Sequence, residues 1–97
     1  MLPVTYLNPA QRYFKKLKEK PLKQKFLDKI QEIRLHPYTG ELKSGDLAGI
    51  YSCDITYQGT NYEIAYRLEE TQEGEVIVII MAGTREMFYQ ELKRYMK

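Results

Sequence analysis

The stretch Tyr51–Leu68, YSCDITYQGTNYEIAYRL, decides the fold. Tyr51, Cys53, Ile55 and Tyr57 alternate with Ser52, Asp54 and Thr56. Gln58-Gly59-Thr60-Asn61 then supplies a turn, after which Tyr62, Ile64, Tyr66 and Leu68 alternate with Glu63, Ala65 and Arg67. A period of two marks strands with one buried face, and two such runs around a short glycine turn predict a hairpin.

Toward the C-terminus, Glu69 to Gly74 is polar and reads as a second turn. Glu75 to Met81 is almost wholly apolar, as expected of a central strand covered on both faces. Gly83 breaks that run, and Thr84 is placed to cap a last helix with Phe88, Leu92 and Tyr95 on its apolar stripe. Toward the N-terminus the period changes to 3.6. Leu2 to Leu7 reads as a first strand, and Asn8-Pro9 as the cap and first position of a helix carrying Ala10, Tyr13, Phe14 and Leu17 on one side. Pro21 opens a second helix, whose stripe is Leu22, Phe26, Ile30 and Ile33 and which runs to about Leu35. His36 to Gly49, with Pro37, Gly40, Gly45 and Gly49, is an irregular connection.

The expected fold is therefore α+β, one domain over residues 1–97, in the order β-α-α-β-β-β-α. The helical pair should pack on one face of a twisted antiparallel sheet. The other face, with Arg67, Asp54 and Thr56, should stay more open.

Several chemistries are excluded by what the chain holds. One histidine and one cysteine give no zinc-ligand spacing, and neither GxGxxG nor GxxxxGK[ST] occurs. No metal or cofactor is expected. Cys53, on the apolar side of its strand, reads as a small core residue. The longest apolar run, Val76 to Ala82, is far too short to span a bilayer, and no secretion signal is legible, so a reducing cytoplasm is the expected setting. Charge is uneven. Met1 to Leu35 has nine basic and three acidic residues, a balance of +6, whereas the rest carries −4. A basic front half fits a polyanion or an acidic partner as well as a solvated lysine face.

The junction Ala82-Gly83-Thr84-Arg85-Glu86 is the most informative site candidate. A helix start there would aim free amides and a positive dipole at an anion. Arg85 adds a planar fork suited to phosphate, and Tyr89 would sit one turn along the same face. By strand parity Arg67 points to the open side and could converge with Arg85.

Three segments together resemble toxins of the RelE/ParE superfamily of bacterial type II toxin–antitoxin systems. They are Leu42-Lys43-Ser44-Gly45-Asp46-Leu47-Ala48-Gly49-Ile50, Asn61-Tyr62-Glu63-Ile64-Ala65-Tyr66-Arg67-Leu68, and Ala82-Gly83-Thr84-Arg85-Glu86 with Phe88-Tyr89. The resemblance spans essentially the whole chain. It implies a cognate antitoxin as partner and one of two activities: mRNA cleavage on the ribosome, or inhibition of DNA gyrase by binding alone. For cleavage it implies Arg85 and Tyr89 as catalytic residues; in this chain Arg67 would compensate as a second cation and Glu63 would be available as a base. Lys15, Lys16, Lys18, Lys23, Lys25, Lys29 and Lys43 would bind RNA phosphates. The sequence departs from the superfamily at Glu63, where the arginine of a tyrosine-arginine pair is usual, and at Asp54 and Thr56, where basic residues are usual.

Overall fold

In the computed structural model, which describes residues 1–97, the hairpin forms as β3 (Tyr51–Tyr57) and β4 (Thr60–Thr71). Gln58 and Gly59 both take positive φ, 48° and 77°, the two-residue turn whose twist matches that of the flanking strands. β4 pairs along nearly its full length with β5 (Gly74–Thr84), antiparallel. The remaining elements are β1 (Val4–Tyr6), α1 (Asn8–Lys16), α2 (Lys20–Leu35), β2 (Glu41–Leu42), a 3-10 turn at Gly45–Leu47 and α3 (Phe88–Met96). The sheet order is β1-β5-β4-β3-β2.

The sheet is mixed rather than antiparallel, because β1 pairs parallel with β5. Its direction is set by α2: the Leu2 amide donates to the Arg34 carbonyl, and Arg34 Nε donates to the Leu2 carbonyl. That clasp holds the chain start at the end of α2 and sends it along β5. Asn8 is not the cap of α1. Leu7 holds the cap position, and Gln11 donates instead to the Tyr6 carbonyl.

Two cores flank the sheet. On one side Leu22, Phe26, Ile30 and Ile33 of α2 and Ala10 of α1 meet Ile55, Ile64, Ile77 and Ile79, as the helical spacing predicts. On the other, Phe88 and Leu92 of α3 cover Ala65, Ile80 and Met81 together with Leu47 and Ile50. The second face is thus largely closed, contrary to the open face expected from the strand alternation. The gap remaining in it is lined by Glu63, Arg85, Lys43 and Tyr89 among others.

Two details of β5 aim the next segment. Ala65 pairs with Met81 but Tyr66 pairs with Ile79, so Ile80 is an extra residue in the strand. This bulge puts Ile80 and Met81 on the same side, and the alternation resumes with Gly83 opposite Glu63 on the second face. The strand also runs on to Thr84, so Thr84 does not cap α3. The Arg85 amide donates to the Asn61 carbonyl, and Met87 at φ 63° turns the chain into the helix.

Candidate functional site

Tyr66 sets one wall of the site. Its hydroxyl donates to the Pro37 carbonyl at 2.8 Å and accepts from the Gly40 amide at 3.0 Å. A Cβ on Gly40 would lie 2.7 Å from that oxygen, so only glycine allows the approach. The clasp lays β2 beside β3, with Glu41 opposite Ser52. Lys43 follows, ion-paired with Glu41 and 4.9 Å over the ring of Tyr89 from α3. The Tyr89 hydroxyl donates to the buried Ser52 Oγ at 3.2 Å.

These groups enclose a polar cleft of about 320 Å³, whose floor is Glu63. Glu63 is 1% exposed. Its Oε1 lies 3.5 Å from Arg85 Nε, an ion pair without hydrogen-bond geometry, while its Oε2 is buried with no partner. Asp54 stands directly opposite on β3. Burial first, then Asp54, as a hydrogen-bond partner for the protonated form and as a negative charge, push the Glu63 carboxyl from its ordinary 4.5 up to about 7, against the pull of Arg85 and Lys43. Two facing carboxyls with one orphaned oxygen make a site for a shared proton. Arg85 is mostly exposed and open to an anion. The hydrogen bond to Glu41, more than any other cause, raises Lys43, so Lys43 stays cationic.

Arg85, Tyr89, Glu63 and Lys43 come together; Arg67 does not join them. It pairs with Glu69 at 2.7 Å and sits opposite Val78, whereas Arg85 bonds to Asn61, six residues back along β4. At about 3.3 Å per residue that separates them by roughly 20 Å along the strand. Lys15, Lys16, Lys18, Lys23 and Lys25 lie exposed on and between the helices without ion pairs, while Lys29 is bound to Glu32 at 2.8 Å and borders the cleft. Burial raises the Cys53 thiol, the wrong direction for a nucleophile. Ser52 shares the outward parity of Asp54 and Thr56 without any mark of a site residue, and Glu41 lies in the two-residue β2. A two-residue strand has no period to read, and only the Glu41-x-Lys43 alternation hinted at it. No three His, Cys, Asp or Glu side chains converge to hold a metal.

Residues 4–93 match the family described as ParE-like toxin of type II bacterial toxin–antitoxin system. No protein of curated function matches in sequence. Among solved structures, the YoeB/ParE toxin from Agrobacterium tumefaciens is similar at 18% identity and TM-score 0.72, covering 87% of this chain and 99% of that one. The RelBE2 toxin–antitoxin complex of Mycobacterium tuberculosis matches at 25% identity and TM-score 0.64, covering 87% and 98%. The isolated RelE toxin of E. coli matches at 18% identity and TM-score 0.65, covering 98% and 99%.

Proposed function

The chain belongs to the ParE-like toxins of type II bacterial toxin–antitoxin systems, and from that premise we propose that it cleaves mRNA on the ribosome and is held in check by a cognate antitoxin. The antitoxin is supported by structures of relatives that are themselves toxin–antitoxin complexes. One observation carries the nuclease: an exposed guanidinium, Arg85, rests on a buried carboxylate and opens into a cleft walled by Lys43 and Tyr89. Phosphodiester cleavage by a ribose hydroxyl needs such a cation where the phosphorane charge develops.

The chemistry divides among the residues at hand. Arg85 and Lys43 hold the phosphate. Glu41, exposed on the cleft wall, takes the proton of the attacking 2′-hydroxyl; the 2′-oxygen bonds to phosphorus as the bond to the 5′-oxygen breaks. The Tyr89 hydroxyl gives its proton to that leaving oxygen, which ends as a 5′-hydroxyl beside a 2′,3′-cyclic phosphate. Glu63, at 1% exposure, offers a ribose no surface and acts through Arg85. The ribosome supplies orientation, so a sparse site suffices. The exposed lysines of α1 and α2 bind rRNA phosphates, and binding weakens as salt rises. The test is to map transcript ends after induction, wild type against Arg85→Ala. Cuts in translated mRNA that vanish in the variant are expected; intact transcripts on arrested ribosomes refute the reading.

The second reading, inhibition of DNA gyrase by binding, is favoured by the cleft's charge. Glu41, Asp54 and Glu63 match Lys29, Lys43 and Arg85 in number. It requires an early DNA-damage response with protein synthesis intact, and loss of supercoiling by purified gyrase.

A further inference from the structure

We propose that Asp54 and Glu63 form a one-proton lock on Arg85, so that the cleft takes up a phosphodiester together with one proton. The proposal rests on the reading of the cleft as a phosphate site and extends it to how that site is opened.

The geometry is specific. Glu63 has two oxygens in two situations: Oε1 faces Arg85 at 3.5 Å, and Oε2 is buried with nothing to bond to. A buried carboxylate oxygen without a donor is costly, and the residue directly opposite on β3 is another carboxylate, Asp54. A proton between Glu63 Oε2 and Asp54 satisfies both groups. It also removes the negative charge that holds Arg85, whose sole ion pair is the one to Glu63.

The cleft therefore has two states. With Glu63 ionised, its charge neutralises Arg85 and repels an anion. With Glu63 protonated, Arg85 is free to swing to a phosphate oxygen with its full charge. The other groups around Glu63 bear on this balance in known directions. Asp54 from β3 favours the proton, while Arg85 and Lys43 oppose it. Glu41, Lys29 and Tyr89 border the same cleft from β2, α2 and α3. An incoming phosphodiester draws Arg85 away and adds negative charge, and both effects favour the proton. By reciprocity, the proton favours the phosphodiester equally.

The test uses the full chain and a short 2′-deoxy oligonucleotide, whose phosphodiesters carry fixed charge and which has no 2′-hydroxyl to attack. Calorimetry at pH 7.5 in buffers of different ionisation enthalpy should show uptake approaching one proton per oligonucleotide. Affinity should fall about tenfold per pH unit above pH 7. Glu63→Gln should bind without uptake and with a flat profile from pH 6 to 8. Asp54→Asn should move the onset of the fall down by about one pH unit or more. A carbon-13 titration of the Glu63 carboxyl should show the same displacement in the free protein. Binding without proton uptake, or a wild-type profile that superimposes on Glu63→Gln, overturns the lock. So do an Asp54→Asn profile like wild type and a failure to bind at pH 6. The two readings separate cleanly. Cleavage of translated mRNA without proton-coupled binding keeps the nuclease and removes the lock; proton-coupled binding in a protein that leaves mRNA intact does the reverse.

Discussion

Replacing Glu63 by glutamine should make the fold more stable at neutral pH, by an amount that depends on pH in a defined window. The folded chain holds the Glu63 proton up to about pH 7, whereas an ordinary glutamate releases it near 4.5. Because the folded-state value is raised, the favourable contribution is complete below pH 4.5, declines from there to pH 7 and is absent above it. At ~1.4 kcal/mol per pH unit the full span amounts to about 3 kcal/mol. The side chain is 1% exposed, so little of this is screened by solvent. Glutamine has nearly the same shape, carries no charge at any pH and can donate its amide to Asp54. Wild type and Glu63→Gln should therefore be similar at pH 4.5, and the variant more stable by about 3 kcal/mol at pH 8. Urea denaturation from pH 4 to 8.5 measures this as a midpoint difference at constant slope. Other titrating groups are common to both proteins and cancel. A difference that stays constant across that range, or a variant less stable than wild type at pH 8, would refute the burial argument.

Other substitutions separate chemistry from architecture. Tyr89→Phe loses the bond to Ser52 but keeps the ring under Lys43; it should unfold within about 1 kcal/mol of wild type, yet lower cleavage in a reconstituted translation assay by about 10²-fold or more. Gly40→Ala pushes a methyl against the Tyr66 hydroxyl and should cost about 1–3 kcal/mol in denaturant melts, with chemical-shift changes gathered at Glu41 and Lys43. Met87→Gly relieves a left-handed φ of 63° on an exposed side chain and should raise stability by about 0.5–1 kcal/mol; a lower midpoint would show that the methionine side chain contributes packing that outweighs the strain.

The parts of this fold that were legible in the sequence are those with a long, regular period. The Leu22-Phe26-Ile30-Ile33 stripe, the alternating hairpin and the apolar β5 all occupy the places their patterns predict. What escaped depended on contacts between distant segments. The parallel pairing of β1 follows from the clasp between Leu2 and Arg34. Thr84 reads as a cap because it precedes a helical pattern, yet it stays in the sheet because Tyr62 is there to pair with it. Glu63 alternates as an outward residue, and only the return of α3 over the second face buries that strand end. Arg67 shares strand parity with Glu63 but not position, and distance along a strand decides what can meet. Arg85 and Tyr89 read as neighbours on one face of a helix begun at Thr84; α3 begins at Phe88 instead, and it is the turn at Met87 that leaves both lining the cleft.

The extra residue in β5 bears on how this chain tolerates changes of length. Ile79 and Met81 already pair with adjacent residues of β4, so the ladder closes without Ile80. Losing that one residue removes packing from the second core but leaves Gly83 opposite Glu63 and Arg85 on its present side. A one-residue deletion in this strand can be absorbed at the bulge. An insertion or deletion beyond it would instead turn Arg85 toward the helices, leaving a folded protein whose cleft has no guanidinium.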